Sequence, residues 1–230
     1  MKLFGLQKLS LVDYPGKLAC TIFTGGCNFR CPFCHNSGLV INIKEEEALS
    51  EEYILRFLEK RSVTLEGVCI SGGEPLLNAD IADFIKKIKN MGFSVKLDTN
   101  GTYPDRRKEL AAAGLIDYVA MDIKNSPEKY AETIGLDSYD ISKVKESVSF
   151  LLSGSVPYEF RTTLVREFHT PQDIVDIGKW ISGAKNYFLQ NFVDSGHIIG
   201  EGLSGFSREE LGTIKEIAKD FAENVELRGI

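Results

Sequence analysis

Short apolar runs alternate with amphipathic segments along most of the chain. The runs are rich in β-branched and aromatic residues, which favour buried strands. We predict six of them, near Leu18–Phe23, Val68–Ser71, Phe93–Asp98, Tyr118–Ile123, Tyr158–Val165 and Tyr187–Phe192. Between them, apolar residues recur with helical spacing, as at Ile81, Phe84, Ile85 and Ile88. Strands that alternate with helices are typical of an α/β fold with a parallel sheet.

Polar or glycine-rich segments follow the first four predicted strands. They are Gly25–Cys27, Gly72–Pro75, Asp98–Gly101 and Asp122–Lys124. In both a doubly wound sheet and a partial barrel, chemistry belongs at the carboxyl ends of the strands. The pattern therefore predicts one functional site at the carboxyl ends of the strands. It does not decide between a doubly wound sheet and a partial barrel.

Length and composition predict one globular domain that spans residues 1–230. The chain is 43% hydrophobic and 26% charged, and its net charge of −6 argues against broad, sequence-independent contact with nucleic acid. No apolar run approaches the ~20 residues of a membrane-spanning helix, so no membrane partner is expected. The first residues, Met1–Gly5, lack the features of a secretory signal, which predicts a cytoplasmic location.

Three of the five cysteines, Cys27, Cys31 and Cys34, fall within eight residues. Disulfides are rare in a reducing compartment, so this spacing indicates metal ligands. Thiolates suit zinc or an iron–sulfur cluster. A cubane cluster normally takes four cysteines, so three without a fourth nearby would leave one iron open to a small molecule. Cys20 and Cys69 lie in apolar runs and are expected to be buried core residues.

Two other interpretations of this cluster exist. His35, which follows Cys34, could complete a Cys3His zinc site. An electron-transfer ferredoxin would need a fourth cysteine, and Cys20 or Cys69 could serve only if the fold brought one near. On their own, three close cysteines do not decide between an enzyme and a zinc or ferredoxin-like binding module.

Cys27-x3-Cys31-x-Phe33-Cys34 resembles the signature of the radical S-adenosylmethionine (SAM) superfamily. The resemblance implies a partial (β/α)6 TIM-like barrel, open on one side. It also implies a [4Fe–4S] cluster whose open iron binds the amino and carboxylate groups of SAM, and one-electron cleavage of SAM to a 5′-deoxyadenosyl radical. Phe33 would approach the adenine. No catalytic side chain beyond the cluster and SAM is expected.

Gly72-Gly73-Glu74-Pro75 resembles the superfamily segment that binds the SAM amino group. Two glycines let the backbone approach a ligand closely, and Glu74 could accept hydrogen bonds from an ammonium group. The alternative is an ordinary turn.

Two further segments, Asp98–Gly101 and Met121–Lys124, resemble parts of glycyl-radical-enzyme activating enzymes. The likeness implies a monovalent cation beside the SAM carboxylate, held by Asp98, Thr99, Met121 and Asp122. It also assigns cofactor binding to Asp98, Asn100, Asp122, Lys124 and Arg161, with the lysine and the arginine facing the SAM carboxylate or ribose. The alternative for Asp98 and Asp122 is that they only cap the loops that follow their strands, and the alternative for Arg161 is an ordinary surface position.

The predicted sixth strand departs from this family pattern. It ends at Gln190-Asn191-Phe192, where the pyruvate formate-lyase branch has a histidine, so its contact with SAM stays unassigned. His169 and His197 are also unassigned.

Residues 10–36 resemble the activating enzymes most specifically, through the stretches SLVDYPGKL and FTGGCNFRCPFCHN. They are most similar to the anaerobic ribonucleoside-triphosphate reductase activating proteins. The likeness implies removal of an α-hydrogen from a glycine of a partner enzyme, which installs a glycyl radical, with flavodoxin or ferredoxin as electron donor. A pyruvate formate-lyase-type activase is one alternative. A small-molecule radical SAM enzyme, such as a deazaguanine-forming synthase, is another.

Overall fold

The computed structural model describes residues 1–229, and the chain divides into two compact units. The first unit is Met1–Asn28 with Gly38–Ala120, and the second is Phe29–Ser37 with the chain from Met121 onward. Within the described residues the sheet has eight strands, whose order follows their order in the chain. None of the helices in residues 1–229 combines the length and the apolar character needed to cross a membrane.

The first unit carries the amino-terminal strands and three helices. Its elements are β1 (Leu3–Ser10), β2 (Ala19–Thr24), α1 (Glu51–Arg61), β3 (Gly67–Gly72), α2 (Ile81–Asn90), β4 (Ser94–Thr99), α3 (Pro104–Ala112) and the start of β5 (Tyr118–Asp122). Strand β1 is antiparallel to β2, whereas β2, β3 and β4 are parallel. Parallel pairing places the carboxyl ends of β2, β3 and β4 at one edge of the sheet.

The second unit continues the same alternation. It contains the end of β5, α4 (Tyr130–Thr133), α5 (Ser142–Leu152), β6 (Tyr158–Leu164), α6 (Pro171–Trp180), β7 (Ala184–Asn191), α7 (Arg208–Ala218) and β8 (Ala222–Arg228). Strands β6, β7 and β8 are parallel. Helix α6 starts with Pro171 in its first turn and a capping box between Thr170 and Asp173, both of which favour helix initiation.

Apolar faces form the core of each unit, as the sequence pattern predicts. The predicted stripe on α2 is buried in full. The interior of β3 and β4 contributes Val68, Ile70, Val95 and Leu97, none of which is exposed. Burying such side chains is the main favourable term in folding and holds the strand ends in fixed positions.

The prediction of six strands is incomplete, because β1 and β8 were not predicted. Strand β1 exposes three of its eight residues, and its two irregularities against β2 break the alternation that marks a strand. Strand β8, with the sequence AENVELR, buries only Ala222 and Val225. Both strands stand at the ends of the strand order, and strands there bury too little apolar surface to show a clear pattern.

Candidate active site

In the first unit, the loop that carries Cys27 packs directly on the loop after β3. The backbone N–H of Gly73 donates to the Thr24 carbonyl at 2.9 Å, and that of Glu74 donates to the Gly26 carbonyl at 2.8 Å. A Cβ on Gly73 would lie 1.9 Å from the Gly26 carbonyl oxygen. Gly72 has a φ of +117°, which other residues rarely adopt. The two predicted glycines are therefore required for close contact between these two loops.

Glu74 is completely buried and connects the end of β3 to the end of β4. Its Oε1 accepts hydrogen bonds from the Leu76 N–H (3.1 Å) and the Thr99 hydroxyl (2.9 Å), and its Oε2 accepts one from the Asn100 N–H (2.7 Å). A buried carboxylate needs such donors to offset its lost hydration. Glu74 therefore holds the segment after β4 in place.

Asn100 faces the first of the three predicted cluster ligands. Its side-chain nitrogen Nδ2 lies 3.8 Å from the Cys27 sulfur and 2.9 Å from Oδ1 of Asn28. Its Oδ1 accepts hydrogen bonds from both the N–H and the hydroxyl of Thr102. The amide is thus fixed at both ends.

Asp98 forms an ion pair with Lys96, a residue that sequence reasoning missed. The Lys96 side chain is only 1% exposed, and Asp98 also accepts a hydrogen bond from the Ser71 hydroxyl at 3.2 Å. The thiol of Cys69 lies 3.5 Å from Oδ1 of the same carboxylate. A lysine inside a predicted buried strand needs an anionic partner, so the sequence signals that Lys96 is paired but does not identify Asp98 as its partner.

In the second unit, Cys31 is buried and Cys34 is half-buried, and neither forms a disulfide. Burial raises the pKa of the Cys34 thiol, and the Asn36 backbone N–H and Lys124 partly oppose this rise. Because a metal ion or cluster supplies the positive charge that favours a thiolate, these two thiols suit an iron–sulfur cluster.

Phe33, between these two cysteines, is buried and packs on Phe168 with ring centroids 5.8 Å apart. The carbonyl of Pro32 accepts the backbone N–H of Gly200 at 2.7 Å. His35 donates from Nε2 to the Val193 carbonyl at 2.9 Å. The zinc alternative would have to use the other nitrogen of this histidine.

Asp122, Lys124 and Arg161 form a charged triad in the second unit. Lys124 Nζ lies 3.0 Å from Oδ2 of Asp122, and Arg161 Nε lies 3.0 Å from Oδ1. Burial by itself lowers the pKa of Lys124, but the neighbouring Asp122 carboxylate and Cys31 thiolate outweigh it, so the pKa is raised. The triad carries one net positive charge near Cys31, which suits an anionic group of a ligand.

His169 holds the backbone of Lys124, and sequence reasoning left it unassigned. It is buried, and its Nε2 donates to the Lys124 carbonyl at 2.9 Å. Its Nδ1 then accepts the Val165 N–H at 3.1 Å, which the neutral ring allows. Burial lowers the pKa of His169 and favours this neutral form. A lone histidine without a ligand motif gives no sequence signal for such a role.

The predicted cation ligands are each already engaged or buried. Thr99 donates to Glu74, Asp98 pairs with Lys96, and Asp122 pairs with Lys124 and Arg161. Met121 is buried. Within residues 1–229, no three His, Cys, Asp or Glu side chains converge to hold a single metal ion. A cubane cluster takes one thiolate for each iron, so its ligands need not converge on one point. The cation site stays a prediction.

Comparisons with known proteins extend over most of the chain. The family model described as the radical SAM superfamily matches residues 21–181. A candidate glycyl-radical enzyme activating enzyme from Methanocaldococcus jannaschii is 34% identical over 98% of this chain and 95% of its own length.

Two solved structures share the fold. Streptococcus suis SuiB bound to SAM has a TM-score of 0.68 and 15% identity over 88% of this chain, which spans about half (48%) of that protein. A domain of a pyruvate-formate lyase-activating enzyme from Bacteroides vulgatus has a TM-score of 0.56 and 18% identity over 71% of this chain and 99% of the domain. The likeness confirms the predicted fold class.

Radical SAM enzymes use a [4Fe–4S] cluster and SAM, and thiols such as those of the three cysteines are the ligands that such a cluster takes. The family match covers more than half of the chain. The chain therefore belongs to the radical SAM superfamily of enzymes.

Proposed function

We propose that this protein is a glycyl-radical-enzyme activating enzyme, which removes an α-hydrogen from a glycine of a partner enzyme. The observation that carries the proposal is the end-to-end match with the M. jannaschii activating-enzyme candidate, over 98% of one chain and 95% of the other. A match of that extent leaves little of either chain outside the shared fold. The bound cluster and SAM together would supply a 5′-deoxyadenosyl radical as the hydrogen-abstracting group.

Cys27, Cys31 and Cys34 would hold three irons of the cluster and leave the fourth without a protein ligand. The triad of Asp122, Lys124 and Arg161 would bind the SAM carboxylate, since it has one excess positive charge. The carboxylate of Asp122 keeps the two cations in fixed directions, so their donors are oriented before the ligand arrives.

The remaining predicted contacts keep their roles in this proposal. Phe33 would stack near the adenine, since its ring is fixed by Phe168. Segment Gly72–Glu74 would meet the SAM amino group, with Glu74 anchored by Leu76, Thr99 and Asn100. In this proposal these residues bind and orient the cofactor, and none of them transfers a proton.

The partner is proposed to be an anaerobic ribonucleoside-triphosphate reductase. Support comes from residues 10–36, whose motifs are most similar to the activating proteins of that enzyme. Flavodoxin or ferredoxin would supply the electron, and the cytoplasm would be the compartment, because it keeps free thiols reduced. A pyruvate formate-lyase is the second partner to test, since the B. vulgatus domain shares the fold.

Electron paramagnetic resonance (EPR) after anaerobic incubation tests the proposal. The reconstituted protein, SAM and a reductant are mixed with each candidate glycyl radical enzyme, and the expected result is a glycyl radical signal on one of them. A Cys31→Ala variant and a partner whose radical-bearing glycine is replaced by alanine should give no signal. Formation of 5′-deoxyadenosine without a signal on any partner would favour a small-molecule radical SAM enzyme instead.

A further inference from the structure

We propose that Asn100 is a positioning residue that raises the reduction potential of the iron–sulfur cluster through a hydrogen bond to Cys27. The inference rests on the proposed ligation of the cluster by Cys27, and it is independent of the partner enzyme. Sequence resemblance assigned Asn100 to cofactor binding in general. The structure instead directs its amide nitrogen at the sulfur of Cys27, 73 residues earlier in the chain, at 3.8 Å.

The orientation of the Asn100 amide follows from its neighbours. Its Oδ1 lies 3.0 Å from the backbone nitrogen of Thr102, and a backbone N–H can only donate. The atom on that side must therefore be the oxygen, and the atom facing Cys27 must be the NH2 group. Oδ1 of Asn28, 2.9 Å away, accepts from the same NH2 group. These contacts exclude the flipped amide, in which an oxygen would face the sulfur.

The backbone of Asn100 is held equally firmly. Its N–H donates to the buried carboxylate of Glu74 at 2.7 Å, and the Thr99 hydroxyl donates to the other oxygen of that carboxylate. Asn100 and Thr102 are 6% and 4% exposed. Water therefore competes little for the amide, and the side chain has few other positions to adopt.

A hydrogen bond to a cluster thiolate acts on the redox equilibrium. Reduction adds negative charge, part of which falls on the sulfur ligands, and an N–H dipole directed at a sulfur stabilises the reduced state more than the oxidised state. Hydrogen bonds in a poorly hydrated site are electrostatically stronger than in water. Asn100 thus makes the cluster easier to reduce for a physiological donor.

Redox titration of the reconstituted protein, without SAM or partner, tests the inference. Asn100→Leu removes the donor and keeps the size, whereas Asn100→Asp also directs a carboxylate oxygen at the sulfur. The midpoint potential should fall in the order wild type, Asn100→Leu, Asn100→Asp, with iron and sulfide content unchanged. Asn90→Asp, an exposed residue at the end of α2, makes the same chemical change and should keep the wild-type potential.

Equal potentials in wild type and both Asn100 variants, at full cluster content, would overturn the inference. If the variants do not assemble the cluster, the hydrogen bond is tested in the wild-type protein by spectroscopy. With 15N only in the asparagine side-chain amides, pulsed EPR of the reduced cluster should show a 15N coupling, and its absence would also overturn the inference. Ligation is tested separately, because a complete cluster in Cys27→Ala would refute the role of Cys27 itself.

Discussion

The ammonium group of Lys124 lies 3.0 Å from a carboxylate oxygen of Asp122, and both residues belong to the segment directly after the buried part of β5. The pair keeps a cation beside Cys31, whose thiolate in turn contributes to the raised pKa of Lys124. This relationship joins two of the proposed SAM-binding residues to Cys31, a proposed cluster ligand, within the second unit of the protein.

Replacement of Asp122 by alanine should weaken SAM binding and leave the cluster in place. Without the carboxylate, Lys124 and Arg161 lose the acceptor that fixes their directions. The two side chains are also poorly solvated, so removal of this negative charge leaves them less well compensated. We expect at least about tenfold weaker binding, which corresponds to about 1.4 kcal/mol. Equilibrium binding of SAM to the reconstituted protein measures this.

Asp176→Ala is the control for that experiment, because its partner Lys179 is an exposed neighbour on α6 and surface pairs contribute little. The control should bind SAM normally. An unchanged affinity in Asp122→Ala would show that Asp122 only caps its loop.

Gly73→Ala should disrupt the packing of the two loops in the first unit. The added Cβ would lie 1.9 Å from the Gly26 carbonyl oxygen, so the loop that carries Cys27 must move. We predict a loss of bound iron together with a lower midpoint of thermal unfolding. Gly212→Ala, inside α7, places its Cβ in open space and should raise stability by about 1 kcal/mol. Normal iron content in Gly73→Ala would refute the close-approach argument.

Stability should fall with acidification because of His169. Its folded pKa lies below the ordinary value near 6.5, so as the pH falls below that value the unfolded chain binds a proton before the folded protein does. The free energy of unfolding therefore decreases by up to about 1.4 kcal/mol per pH unit until the folded pKa is reached. Lys129 opposes this protonation and Asp173 favours it.

Urea unfolding at several pH values, in wild type and His169→Gln, measures this effect. In the variant, the free energy of unfolding should decrease less steeply as the pH falls below 6.5. Parallel curves for the two proteins would mean that His169 does not titrate as its buried position requires.

The strand ends and the cysteine loop could be predicted from the sequence because each depends on local pattern. Short apolar runs that alternate with helical spacing predicted the positions of β2 to β7, and spacing alone singled out Cys27, Cys31 and Cys34. Strands β1 and β8 have too few buried side chains to give a signal.

The contacts that orient the site were beyond prediction for a different reason. Lys96 pairs with Asp98 on its own strand, but whether that strand face is buried depends on the packed fold. The contacts between Asn100 and Cys27 and between His169 and Lys124 join residues 73 and 45 positions apart. Such pairings depend on the geometry of packed strand ends, which no local pattern encodes.

Cluster content and SAM cleavage in single cysteine variants test the central claim most directly. Cys27→Ala, Cys31→Ala and Cys34→Ala should each lose the intact cluster and form no 5′-deoxyadenosine. Cys20→Ala, which changes a buried cysteine outside the loop, should retain both. Continued 5′-deoxyadenosine formation by any of the three loop variants would contradict the account.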